Sequence, residues 1–295
     1  MKKLLILLST YNGEKYLSEL LDSVFNQTYK SIDLLVRDDG STDDTLFLLK
    51  KYSEKYSIRI IEGKNIGAAE SFFDLIKSAD NTYKYYAFCD QDDVWLPEKI
   101  EAAVSKLEEV KNDCPNLYYS GQILVDDKLN KISNHHLDNT RSYKANFIFN
   151  QMAGCTAVLN NALFRLLKAY KPNNVYMHDA WCYKVCVTCN GNVIVDDKEY
   201  ILYRQHGNNT VGLSKSIHGK MSLLKSHLNN SPSSYARELL EGYDKDIEKS
   251  WIPFLRNLVN KGIVNRWKLA TDKEICFHSV YLKTIFIIKL LVGYY

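Results

Sequence analysis

The 295-residue chain is 46% apolar and 25% charged, the balance of a soluble globular protein, with material for one large α/β domain plus an appendage or for two modest domains. Its net charge of +3 is too small to point to a nucleic-acid partner. From Lys215 onward 13 Lys/Arg stand against 7 Asp/Glu, so the tail carries about +6 and residues 1–214 about −3. A basic tail on an acidic body suits an anionic surface, and a bilayer is the natural candidate.

Lys2-Lys3 and the apolar run Leu4 to Leu8 resemble the start of a signal peptide. That run falls short of the ~7–15 residues of a signal core and passes without a cleavage site into Ser9-Thr10-Tyr11-Asn12-Gly13. Residues 3–9 read instead as a buried first strand. Tyr16 to Phe25 places Leu17, Leu20, Leu21, Val24 and Phe25 at helical spacing. Ile32 to Arg37 is a second strand, stopped by Asp38-Asp39-Gly40. Ser41-Thr42-Asp43-Asp44 can cap a helix with Leu46, Leu49 and Tyr52 inward. Ile58 to Ile61 is a third strand, Ala68 to Ser78 a third helix, Tyr85 to Cys89 a fourth strand, and Pro97 to about Val110 a fourth helix. Alternating strands and helices predict an α/β fold with a mostly parallel, doubly wound sheet.

Beyond residue 112, Leu117 to Val125 and Val193 to Gln205 read as strands, with helices at Asn161 to Ala169 and Asp179 to Cys189 between them. Cys182, Cys186 and Cys189 share one helical face, where buried thiols behave as small apolar groups; no further ligand pair follows at zinc spacing. The odd total of seven cysteines shows no secreted disulfide framework, and reduced thiols fit a cytoplasmic protein. Residues 215–295 read as a mainly helical, basic extension. No charge-free apolar run reaches the ~18 residues a transmembrane helix needs. Val280 to Tyr295 is apolar apart from Lys283, Thr284 and Lys289, which suits either a docked terminal helix or one lying in a membrane interface.

Ligands of doubly wound sheets bind beyond the carboxyl ends of the strands, and four polar clusters sit there: Ser9–Glu14, Asp38–Asp44, Lys64–Gly67 and Asp90–Asp93. Asp90-Gln91-Asp92-Asp93 carries three carboxylates directly after an apolar strand. Acids can cap the following helix, but three so close repel one another unless donors or a cation compensate. Hard oxygens suit Mg²⁺ or Mn²⁺ bridging to a diphosphate. Asp38 can close a turn, or accept hydrogen bonds from a base or ribose. Thr10-Tyr11-Asn12-Gly13-Glu14 is no glycine-rich phosphate loop, so a metal is the expected phosphate holder.

Ser9-Thr10-Tyr11-Asn12-Gly13, Asp38-Asp39-Gly40-Ser41-Thr42-Asp43, Asn65-Ile66-Gly67 and Asp90-Gln91-Asp92-Asp93-Val94-Trp95, in this order, resemble family 2 glycosyltransferases. His178-Asp179-Ala180-Trp181 and Tyr203-Arg204-Gln205-His206-Gly207-Asn208-Asn209 resemble its rhamnosyltransferase-like branch, which builds bacterial surface polysaccharides such as capsule and cell-wall polymers. The resemblance implies a GT-A fold over residues 1–214 and transfer of a sugar, rhamnose favoured, from a dTDP- or UDP-sugar to a lipid-linked oligosaccharide. It implies that Thr10, Tyr11, Glu14, Asp38, Asn65, Asp90 and Gln91 contact the donor. Asp92 and His206 would bind Mn²⁺ or Mg²⁺, and Asp93 has no assigned part. Asp179, which by itself reads as a helix cap, matches the catalytic base; one base without an enzyme nucleophile implies inversion. Trp95, Gly154, Cys155, Thr156 and Trp181 would lie near the acceptor. Ala180 replaces the first Trp of the family's His-Asp-Trp-Trp, which changes that pocket's shape. The Gln-x-x-Arg-Trp motif of processive members is absent, implying addition of one sugar or a few. Two other readings stay open: a non-catalytic nucleotide-sugar-binding module, and a sugar-phosphate nucleotidyltransferase, which would want a basic, glycine-rich first loop. The expected location is cytoplasmic, peripheral at the inner face of the plasma membrane.

Overall fold

The computed structural model describes residues 3–205, 231–293 and 295. Strand β1 (Leu4–Thr10) lies between β2 (Ile32–Asp38) and β4 (Tyr85–Cys89), with β3 (Ile58–Glu62) outside β2, all four parallel. Alternate residues of β1 divide between two cores. Leu5 and Leu7 join one, and Leu4, Ile6 and Leu8 the other. A continuous apolar run is what a parallel strand covered on both faces requires. Helices α1 (Glu14–Phe25), α2 (Thr45–Ser53) and α4 (Lys99–Glu108) supply the second core, whereas α3 (Ala68–Ser78) supplies the first. Each fully buried leucine contributes roughly 1.5–3 kcal/mol.

Past β4 the sheet becomes mixed. The order is β3-β2-β1-β4-β8-β6-β9-β5, with β7 (Lys131–His135) beside β6 (Asn116–Val125). β8 (Val158–Asn160) runs antiparallel to β4 and β6, while β9 (Asn192–Arg204) runs parallel to β6. The two-residue strand β5 (Val94–Trp95) pairs antiparallel with β9, and Leu96 N donates to Tyr200 O at 2.9 Å. That pairing uses the backbone groups of residues 94–96, so the fourth helix starts at Lys99 rather than at Pro97.

Helices α5 (Tyr143–Ile148), α6 (Asn161–Ala169) and α7 (His178–Thr188) cover the first core. Cys182, Cys186 and Cys189 are buried there, and burial pushes all three thiols up from their ordinary values. Helices α8 (Pro232–Gly242), α9 (Ile252–Val259), α10 (Ile263–Ala270) and α11 (Val280–Val292) follow. They share this core through Tyr235, Leu239, Tyr243, Phe254, Leu255 and Phe286.

Candidate active site

The loops after β1, β2 and β4 are joined by side chains. Gln91 accepts from Tyr11 N at 2.8 Å and donates to Tyr11 O at 2.9 Å. Gly13 leaves the room for this: a Cβ there would lie 2.3 Å from Gln91 Oε1. Asn12 adopts φ 47°, donates from its amide to Ser41 Oγ, and accepts from Thr42 N. Glu14 accepts from Asp44 N at 2.8 Å, and its own amide donates to Asp43 Oδ2 at 3.2 Å.

Asp38 is 1% exposed. Its Oδ1 accepts from Thr10 Oγ1 (3.0 Å) and Ser41 Oγ (2.6 Å), and its Oδ2 from Gly40 N and Ser41 N. Thr10, Glu14, Asp38 and Gln91, expected to face a nucleoside, thus engage their polar side-chain atoms in holding the loops. Of the expected donor contacts, the Tyr11 ring, 45% exposed, Glu14 and Asn65 are open to solvent. Asp39, which the motifs gave no separate part, accepts from Ile66 N and Gly67 N at 2.9 Å each and pairs with buried Arg37. It positions the Asn65–Gly67 loop. An acid two residues from an arginine within a buried strand end was the available signal.

In the acidic turn, ligand atoms of Asp90, Asp93 and Cys155 lie within 4.8 Å of one another. Burial, then the charges of Asp92 and Asp179, pushes the Asp90 carboxyl up to about 7. Burial, then Asp92 and Asp90, holds Asp93 well above the carboxylate range. Asp93 Oδ1 accepts from Arg204 N at 3.2 Å, while its buried Oδ2 has no hydrogen-bond partner among the described residues. Asp92 is half-buried, and His206 lies outside the described residues. Two crowded carboxyls, one with an orphaned oxygen, call for positive charge beside them, which a hard divalent cation at the adjoining Asp92 would supply; the Cys155 thiol, pushed up by burial, stays protonated and is a poor ligand for such an ion.

Arg204 is the residue that motif reading passed over in favour of His206. Its Nε donates to Asp92 O (2.9 Å), Nη1 to Asp127 O (2.6 Å) and Nη2 to Glu19 Oε2 (2.6 Å). This buried guanidinium locks the end of β9 against the acidic turn and α1. Beneath the turn lies a second buried cation, Lys99, with Nζ 3.6 Å from the Trp95 ring centroid. Burial lowers Lys99 to about 8 against the opposing pull of Cys89, Cys155, Asp93 and Asp90.

Asp179 occupies the first turn of α7, where the helix dipole favours an acid. Its Oδ1 accepts from Ala180 N at 2.6 Å. Burial raises its carboxyl, opposed by the Ala180 amide and the Lys184 charge. The buried 3-10 turn Gly154–Thr156 forms the floor beneath it: a Cβ on Gly154 would lie 3.3 Å from Asp179 Cβ. Trp95 and Trp181, expected near the acceptor, are both buried. Trp95 packs under Lys99, and Trp181, at 0% exposure, faces Tyr170, Tyr235 and Tyr243.

His178 stacks on Phe72 at 3.8 Å and meets Phe88 edge-on at 4.7 Å. Burial lowers it to about 3 from 6.5, so it is neutral at working pH. Its folded pKa is depressed, so the stability it contributes is complete above pH 6.5 and is lost as pH falls toward about 3, at up to about 1.4 kcal/mol per unit. His178→Leu should therefore lose stability less steeply than wild type between roughly pH 6.5 and 4.5 in urea unfolding; equal slopes would contradict a neutral imidazole here.

The chain is similar to known proteins in sequence and in fold. Residues 5–168 match the family described as glycosyl transferase family 2. The dTDP-rhamnosyl transferase RfbG of Shigella flexneri is 31% identical over 286 residues, 90% of this chain and 95% of that protein. The UDP-Glc:alpha-D-GlcNAc-diphosphoundecaprenol beta-1,3-glucosyltransferase WfgD of Escherichia coli is 31% identical over 124 residues, 42% of this chain and 47% of that one. Among solved structures, the mannosyltransferase PcManGT of Pyrobaculum calidifontis, in complex with GDP-Man and Mn²⁺, shares the fold. Its TM-score is 0.58 at 15% identity, over 100% of this chain and 81% of that one. The chain belongs to glycosyl transferase family 2 and is a glycosyltransferase with the GT-A fold.

Proposed function

We propose that this enzyme inverts the anomeric centre while moving one sugar, rhamnose favoured, from a dTDP- or UDP-sugar to a hydroxyl of a lipid-linked oligosaccharide in surface polysaccharide synthesis. The observation that carries the reading is the placement of two carboxylate groups with different surroundings at one sheet edge. The acidic turn follows β4, and Asp179 enters from α7, close enough for its charge to bear on Asp90. The name of RfbG supports dTDP-rhamnose, and that of WfgD supports a diphospholipid-linked acceptor.

Asp179 takes the proton of the acceptor hydroxyl, whose oxygen bonds to the anomeric carbon as the bond to the diphosphate breaks. A raised pKa makes Asp179 a stronger base than an exposed aspartate. A Mn²⁺ or Mg²⁺ held by Asp92, with His206, would neutralise charge on the leaving diphosphate. Tyr11, Asn65 and Asp90 are left to meet the nucleoside and sugar. Residues 1–214 form the catalytic domain in this reading and 215–295 its extension. The isosteric Asp179→Asn should lower nucleoside-diphosphate release from dTDP-rhamnose by roughly 10²–10⁴-fold while donor binding persists. Wild-type turnover in that variant would contradict the assignment.

The extension is proposed to attach the enzyme to an anionic bilayer. Helix α11 docks through Phe286 and Leu290 yet exposes Tyr281, Ile288 and Leu291, so it is apolar on two sides. Arg266 donates to Leu291 O at 3.0 Å and joins α10 to it, continuing the exposed surface through Ile263 and Trp267, the latter 67% exposed. Lys261, Lys268, Lys273 and Lys283 are exposed around this surface. Asp272 and Glu274, the acids between α10 and α11, are both paired with Lys144. Among the described residues no helix is long and apolar enough to cross a membrane, so contact would be interfacial. Trp267→Glu with Leu291→Glu should abolish flotation with phosphatidylglycerol vesicles; flotation equal to wild type would overturn the proposal.

A further inference from the structure

Helix α8 grips the chain immediately before the proposed base. Tyr235 and Glu238, three residues apart on one face of α8, are buried. Glu238 Oε2 accepts from Tyr170 OH (2.8 Å) and Asn173 N (3.0 Å), and Oε1 from Asn174 N (3.0 Å) and Asn174 Nδ2 (3.1 Å). The Tyr235 hydroxyl accepts from both Tyr176 N and Met177 N at 3.2 Å. Two side chains thus hold four backbone amides in the five residues that lead into His178 and Asp179. Gly242, one further turn along, lets the helix lie on the Tyr170 ring, because a Cβ there would meet Tyr170 Cδ1 at 2.4 Å.

The Tyr235 ring also covers Lys184, which lies on the same helix as the base and which burial lowers to about 7. Lys184 Nζ lies 4.2 Å from its centroid and 5.2 Å from that of Phe147, and donates to Ala180 O at 3.5 Å. Trp181, on the same helix, packs against Tyr235 and Tyr243. α8 therefore contacts both the lead-in segment and the body of the helix that carries Asp179. Burial alone would raise the Glu238 carboxyl, yet the Asn173 amide, Tyr170 and Asn174 outweigh it and hold it below its ordinary value. An ionised carboxylate accepting this many donors is a strong holder.

From this geometry we infer that Tyr235 and Glu238 are positioning residues for transfer: α8 fixes where Asp179 stands, so the helical extension is part of the catalytic apparatus as well as the proposed membrane attachment. The inference rests on Asp179 being the base. Glu238 makes no contact with the acidic turn among the described hydrogen bonds, so its loss should spare donor binding.

The test uses the full chain and dTDP-rhamnose with Mn²⁺, comparing Tyr235→Phe, Glu238→Gln and Glu238→Ala with wild type and with Asp179→Asn. Turnover, donor KM, melting temperature and amide hydrogen exchange are measured for each. Displacing a catalytic group by about 1 Å can cost about 10²-fold, so Glu238→Ala should lower kcat by about 30-fold or more and Tyr235→Phe by about 10-fold. Donor KM should stay within about twofold. Glu238→Gln can keep the Asn174 bonds on its oxygen, and the Tyr170 hydroxyl can accept from its amide, while the Asn173 bond is lost, so it should fall between wild type and Glu238→Ala. The amides of residues 173–177 should exchange faster in these variants than in wild type, with the sheet unchanged. Unaltered kcat in Tyr235→Phe and Glu238→Ala, or a fall in kcat that only follows a lowered melting temperature, would overturn the inference. If Asp179→Asn turns over like wild type, the base assignment fails. Faster exchange at 173–177 would then still uphold the grip of α8 on this loop, and unchanged exchange would overturn that too.

Discussion

Mutual repulsion among carboxylates at the end of β4 is the constraint around which the active edge is built. Asp90, Asp92 and Asp93 follow a fully buried strand, and the charge of Asp179, on α7, bears on Asp90. Charges gathered in a poorly solvated place remain ionised only if something compensates them. Backbone amides do part of this: Arg204 N serves Asp93 and Ala180 N serves Asp179. Two buried lysines, Lys99 below the turn and Lys184 on α7, do part of it at longer range. What remains is a raised Asp90 and an orphaned oxygen on Asp93.

Around that cluster the fold is organised to keep loops still. Gln91 binds the β4 loop to the β1 loop, Asp38 ties β1 to β2, Asp39 reaches the loop after β3, and Arg204 brings in β9. These bonds join residues up to 185 positions apart, as Arg204 and Glu19 are. A GT-A enzyme must hold a flexible nucleotide-sugar in one pose, and a rigid edge reduces the entropy lost when it does so. The extension has two faces in this picture, one gripping the segment before Asp179 and one left apolar and basic.

The first four strands and their helices were legible because each is a run of apolar residues at a single period, and Ala68–Ser78 and Tyr85–Cys89 match the reading residue for residue. β5, β7 and β8 were not, since strands of two, five and three residues carry little periodicity and owe their existence to distant partners. The site divides similarly. The acidic turn announces itself by composition, whereas Asp179 looks like a cap and indeed sits in the first turn of a helix. Thr10, Asp38 and Gln91, read as donor contacts, form hydrogen bonds to other loops of the chain in this structure. Trp181 illustrates the converse: an aromatic in a motif serves packing with α8. Glu238 could not have been found, because a glutamate in an amphipathic helix reads as solvent-facing until its four donors are seen.

We propose that a divalent cation completes the acidic cluster, and a Mn²⁺ titration followed by melting temperature checks this. With Asp90 raised to about 7, its folded-state cost is absent below its ordinary value of 3.8 and grows as pH rises toward 7. At pH 6 a cation must displace a proton, and at pH 8 it meets an ionised carboxylate. Binding to the folded chain alone raises its stability in proportion to the logarithm of metal concentration over Kd. Mn²⁺ should raise Tm more at pH 8 than at pH 6, and the rise should be lost in Asp92→Asn. No rise, or the same rise at both pH values and in the variant, would contradict it.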